Sequence, residues 1–175
     1  IRLFGPLQVL VHGEPIPRLR TRSVEWLLAL LILRSGKSVS RSWLAGTLWP
    51  QCDETHGRRS LRQTLHDLRI ALGGEAWRLA CDEPRKIRLD LAGASADVLV
   101  FDNALDRGDL ESLAVAARLY RGPLLEDCAE EWAVEGRRSR EQACIRALET
   151  LAGAAISQGR AGLASPAAEA GPTYH

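Results

Sequence analysis

The chain has 175 residues, enough for one domain or two small ones, and at 46% hydrophobic and 26% charged it can build a core and is not disordered throughout. Its net charge of +1 conceals a split: residues 1–91 hold 15 Lys/Arg against 9 Asp/Glu, giving +6, while residues 92–175 hold 8 against 13, giving −5. Only the first half is therefore suited to an anionic partner, and with the longest apolar run just eight residues (Trp26 to Leu33) where a membrane span needs about 20, no segment is expected to cross a membrane.

The opening stretches "IRLFG", "LQVLVHG" and "EPIPRLRT" alternate and are broken by Gly5-Pro6, Gly13, Pro15 and Pro17. They predict a small antiparallel β-meander. Residues 22–35, "RSVEWLLALLILRS", are apolar nearly all round and predict a helix central to the core, closed by Gly36. Ser40 is placed to cap a second helix over "SRSWLAGTLW", with Pro50 beyond its end. The loop "PQCDETHG" leads into a third helix at about 55–73, with Asp53 or Thr55 as its cap and Gly73-Gly74 as its stop.

The third helix, "RRSLRQTLHDLRIALG", carries the functional signal. Leu61, Leu65, Leu68 and Leu72 fall within about 60° of one another at 100° per residue, a single apolar edge. Arg59, Gln63 and His66 stand opposite that edge, with Arg62 on the flank. Two short strands follow, about "WRLAC" and "KIRLDL", joined by "DEPR", where Pro84 favours a turn. Helix, helix, long basic helix, then hairpin is the order of a winged helix-turn-helix. In that arrangement the third helix fits the major groove, the second touches backbone, and the hairpin lies alongside. The hairpin turn brings Arg85, Lys86 and Arg88 within four residues, and guanidinium forks suit phosphate oxygens and guanine edges.

In the second half, "DVLVFDNALDRGDLESLAVAARLYRGPLL" reads as an extended or turn segment passing into a helix near Asp109. Gly122-Pro123 breaks the chain. An alanine-rich helix then runs from about Glu130 to Ser157, with Gly136 as a point of interruption. Its small residues suit close antiparallel helix pairs, and a simple helical appendage on the first domain is the plainer alternative. The acidic balance argues against DNA contact and for a protein-facing or scaffolding role. The tail "AGLASPAAEAGPTYH" has little to bury and reads as flexible linker.

The four cysteines are scattered without a CxxC pair and read as reduced thiols of a cytoplasmic protein, many of them core filler. The five tryptophans read as structural. His12 and His56 fall in loop or strand-end positions and His175 is terminal. The chain has no glycine-rich phosphate loop, no HExxH and no GxSxG, so no catalysis, cofactor or metal is expected.

The stretches "RLFGPLQVLVHGEPIP", "SVEWLLALLILRSGKSVSRSWLAGTLWP", "RRSLRQTLHDLRIALG" and "ARLYRGPLLEDC", in that order and spacing, resemble the SARP family of bacterial transcriptional activators over about residues 2 to 160. The resemblance implies an α+β N-terminal winged helix-turn-helix of OmpR type with a small β-meander, over residues 1–95. An all-α, tetratricopeptide-like activation segment would follow over 96–160, with 161–175 as flexible tail or linker. It also implies sequence-specific binding of double-stranded DNA, dimers on direct repeats and recruitment of RNA polymerase. Carried across, the DNA-binding residues are Arg58, Arg59, Arg62, Gln63, His66, Arg69, Arg85, Lys86 and Arg88. Two positions depart from the family pattern: Asp67 stands where members commonly carry arginine, and Ile70 faces outward. They leave open the alternative of a winged-helix interaction module within a larger protein that does not touch DNA.

Overall fold

A computed structural model describes residues 1–16, 19, 21–81 and 83–164. The opening strands are shorter than the alternation suggests. Arg2 and Gln8 form a single antiparallel bridge, and β1 (Leu10–Val11) pairs with β2 (Glu14–Pro15). The turn between them sets His12 (φ 52°) and Gly13 (φ 88°) left-handed, as a two-residue hairpin loop requires to match strand twist. The rest of the expected third strand includes Pro17, Arg18 and Arg20, which lie outside the described residues.

Helix α1 (Arg22–Leu33) buries Val24 and every residue from Trp26 to Ile32. A helix without a polar face must be central, and α1 touches α2 (Arg41–Leu48), α3 (Glu54–Leu72) and strand β5 (Lys86–Leu89). Between α1 and α2 lies β3 (Val39–Ser40), which the sequence does not reveal, since two residues carry no periodicity. It pairs antiparallel with β5, Val39 opposite Ile87, and β5 pairs in turn with β4 (Leu79–Ala80), Leu79 opposite Leu89. The order β3-β5-β4 ties the hairpin to the entrance of α2, completing the winged helix-turn-helix. At the crossing of α2 and α3, a Cβ on Gly57 would already stand 3.6 Å from Ala45 Cβ, so the crossing is built on small residues.

Residues Gly73–Arg78 form a 3₁₀ turn, so the first wing strand begins at Leu79 and not at Trp77. Trp77 is consequently 59% exposed, covered on one face by the Arg78 guanidinium 4.6 Å from its ring centroid. Trp43 is likewise at the surface, beneath Arg34 at 4.3 Å, so neither is a core residue. Of the cysteines, Cys128 and Cys144 are buried, but Cys52 and Cys81 are exposed and do not fill the core.

The second half opens with α4 (Asp97–Arg107), where the sequence suggested an extended segment. Val98, Phe101 and Ala104 supply a buried helical face; the valines and phenylalanine between them imitate a strand. Gly108 (φ 71°) ends α4, and Asp109 caps α5 (Leu110–Leu119) by accepting from the Ser112 backbone N–H at 2.9 Å. Helix α6 (Glu131–Ala164) runs through Gly136 without a break. A Cβ there would meet Arg140 Nη1 at 3.3 Å and Leu124 Cδ2 at 3.5 Å, so the glycine serves close approach instead of interruption. The helix also takes in residues 161–164 of the expected tail; 165–175 lie outside the described residues.

The two halves meet through the N-terminus. Phe4 bridges Leu124, Gly5 N–H donates to Pro123 O (2.9 Å), and Leu125 N–H donates to Leu3 O (2.8 Å). The Asp97 carboxylate accepts from the backbone N–H groups of Leu3 (2.8 Å), Phe4 (3.1 Å) and Val98 (2.7 Å). Phe4, Phe101 and Tyr120 stack in a cluster with ring centroids 4.9 to 6.1 Å apart, and one buried core is continuous across both halves.

Candidate nucleic-acid interface

Helix α3 is fixed by its ends and by its leucines. Asp53 caps it, accepting from His56 N–H at 2.9 Å and pairing with His56 Nδ1 at 2.6 Å. These two bonds, the backbone one first, hold the Asp53 carboxyl below its ordinary value of 3.8. His56 thus belongs to the first turn of the helix and not to a loop. Leu61, Leu65, Leu68 and Leu72 are each 8% exposed or less, and Gly57 and Thr64 are buried with them. Burying each leucine contributes on the order of 1.5–3 kcal/mol, far more than any surface pairing on the opposite face, so the leucine edge sets the helix's rotation.

That rotation turns Arg59, Arg62, Gln63 and His66 to solvent, where with Ser60 they line one open groove of about 630 Å³. Beside it, Arg41, Ser42, Arg58, Leu61, Arg62 and Arg85 enclose a second concavity of about 260 Å³. Three elements build it: the first turn of α2, the first half of α3 and the wing tip, which is held to α2 by Arg41 N–H donating to Arg85 O at 2.9 Å. The four guanidiniums there have one carboxylate among their described partners, Glu54, which pairs with Arg58. Cations held this close attract a polyanion and focus its approach.

Residues 89–172 match the family model of the bacterial transcriptional activator domain. The chain is 29% identical to the transcriptional regulatory protein EmbR of Mycobacterium tuberculosis and to that of Mycobacterium bovis, with 76% of this chain and 38% of each relative covered. The solved structure of Mycobacterium tuberculosis EmbR in complex with a low-affinity phosphopeptide superposes with a TM-score of 0.75 at 27% identity, over 93% of this chain and 46% of that one. These matches support a SARP-type bacterial transcriptional activator. The chain spans less than half the length of the relatives it matches. The family is one of transcriptional regulators.

Against that family frame, the structure sorts the nine residues singled out in the sequence. Arg59, Arg62, Gln63 and His66 share the outward groove, and Arg58, Arg62 and Arg85 share the concavity. Three lie in neither. Arg69 is half-buried and donates to Cys81 Sγ at 3.5 Å. Lys86 pairs with Glu83 at 2.9 Å, and Arg88, on the half-buried stretch of β5, stands 4.0 Å from Asp90. Arg41 was missed. The available signal was its place directly after the Ser40 cap, where a side chain leaves the first turn of the helix that precedes the recognition helix. Its Nη2 donates to Cys81 Sγ at 3.4 Å, and its buried Nε has no hydrogen-bond partner among the described residues. Of the two departures, Ile70 is 62% exposed, and Asp67 accepts from Gln63 Nε2 at 3.1 Å.

Among the described residues no three His, Cys, Asp or Glu side chains are grouped to hold a metal, and no helix is long and apolar enough to cross a membrane. Burial raises the thiols of Cys128 and Cys144 and the Tyr120 phenol, all in the helical half of the chain.

Proposed function

We propose that this transcriptional regulator binds double-stranded DNA sequence-specifically, with α3 in the major groove and the wing against the backbone. The observation that carries the reading is the convergence of Arg41, Arg58, Arg62 and Arg85, from three separate elements, beside the outward groove of Arg59, Arg62, Gln63 and His66. The concavity takes phosphate; the groove meets base edges and, through its arginines, the phosphates that flank them. Residues 1–95 act as the DNA-binding unit and 96–160 as the activation segment, whose acidic surface faces protein, RNA polymerase included. Tandem binding as a dimer on direct repeats is what the resemblance to the SARP family implies for this reading.

Selection from a random duplex pool tests it, using the whole chain at moderate salt. Enrichment of a repeated motif is expected. A pool that returns unenriched overturns the reading and favours a winged-helix interaction module.

A further inference from the structure

Gln63 lines the outward groove of α3 that faces the proposed ligand, and Asp67 lies one helical turn further along the helix. We propose that Asp67 is a positioning residue that orients the Gln63 amide so that the recognition helix reads adenine; this rests on the DNA-binding reading above.

A glutamine amide offers one carbonyl acceptor and two N–H donors, and rotating it by 180° exchanges the two ends. An unrestrained Gln63 therefore presents either order of donor and acceptor to a base edge, and discriminates weakly. Here Asp67 Oδ1 takes one N–H from Gln63 Nε2 at 3.1 Å. A carboxylate accepts and cannot donate, so it holds the nitrogen end and rejects the oxygen end. The amide is left with its carbonyl oxygen and one N–H, in a fixed order. That pair complements adenine in the major groove, where N6–H donates and N7 accepts. Asp67 is half-buried against the helix while Gln63 is exposed, so the carboxylate stands behind the amide instead of at the tip of the reading surface. A negative charge on a DNA-facing helix, otherwise an obstacle to phosphate approach, thereby acquires a use: it trades affinity for discrimination.

The test repeats the duplex selection with the wild-type chain and with Gln63→Ala, Asp67→Ala and Asp67→Asn. Thermal midpoints of all four check that the substitutions leave the fold intact. The wild type should prefer adenine at one position of each half-site by about fivefold to 150-fold, the range of a good bidentate contact. Gln63→Ala and Asp67→Ala should both lose that preference while keeping the rest of the motif. Asp67→Asn sheds the charge and can either accept from or donate to the Gln63 amide, so it should bind more tightly but lose most of the adenine preference. An unchanged adenine preference in Asp67→Ala overturns the proposal and leaves DNA binding standing. So does cytosine at that position in the wild type, lost in Asp67→Ala, which would make Asp67 itself the reader. No motif with any variant overturns both readings together.

Discussion

Five arginines line the two concavities: Arg41, Arg58, Arg59, Arg62 and Arg85. If each neutralises one phosphate, the log–log slope of affinity against salt is about −4.5, since each contact on duplex DNA contributes about −0.9. Raising salt from about 50 to about 200 mM should then weaken binding by about 500-fold. Replacing Arg59 and Arg62 together with Ala removes two contacts, so the slope should fall to about −2.7 and the same salt step should cost about 40-fold. Both side chains are exposed and make no ion pair among the described residues, so the double variant should stay within about 0.5 kcal/mol per site of wild-type stability. Fluorescence anisotropy on a labelled duplex at four salt concentrations gives the slopes, and a thermal melt gives the control. An identical slope in the folded double variant would show that α3 does not face phosphate, and the interface would have to be abandoned.

Leu68 is fully buried on the leucine edge of α3, so Leu68→Ala should cost about 2–5 kcal/mol in denaturant unfolding; a loss under about 1 kcal/mol would mean that edge is not the core contact. The Asp53 carboxyl is depressed below 3.8 by the His56 backbone and ring, so its stabilisation is present above that pH and is lost as pH falls through the lower folded value. Asp53→Ala should therefore lower the thermal midpoint at neutral pH and flatten its decline in acid, and an acid limb identical to wild type would contradict the cap. Burial pushes the thiols of Cys128 and Cys144 up, whereas Cys52 and Cys81 are exposed. Iodoacetamide on the native chain at mildly alkaline pH should label only the exposed pair, with all four labelled after denaturation; rapid native modification of Cys128, read by mass spectrometry, would contradict that packing.

What the chain declares by itself is local. The leucine spacing of α3, the Ser40 and Asp53 caps, the Gly73 stop and the all-apolar α1 each depend on neighbours within a turn or two, and each stands in the structure as read. The outward set Arg59, Arg62, Gln63 and His66 was legible for the same reason, because once four leucines are committed to the core the opposite face has no freedom left. Only the tertiary structure could decide the rest. Strand β3 exists because β5 offers it an edge 47 residues later, with Ser40 opposite Lys86 at one end of the pairing and Val39 opposite Ile87 at the other. That pairing brings Arg85 onto the first turn of α2 and makes Arg41 part of a four-arginine concavity. The opening segment at residues 3–5, read as part of the meander, pairs instead with residues 123–126 on the helical half. Backbone pairing at long separation leaves no trace in periodicity, because its energy depends on which edges are unpaired once the leucines and valines have been buried.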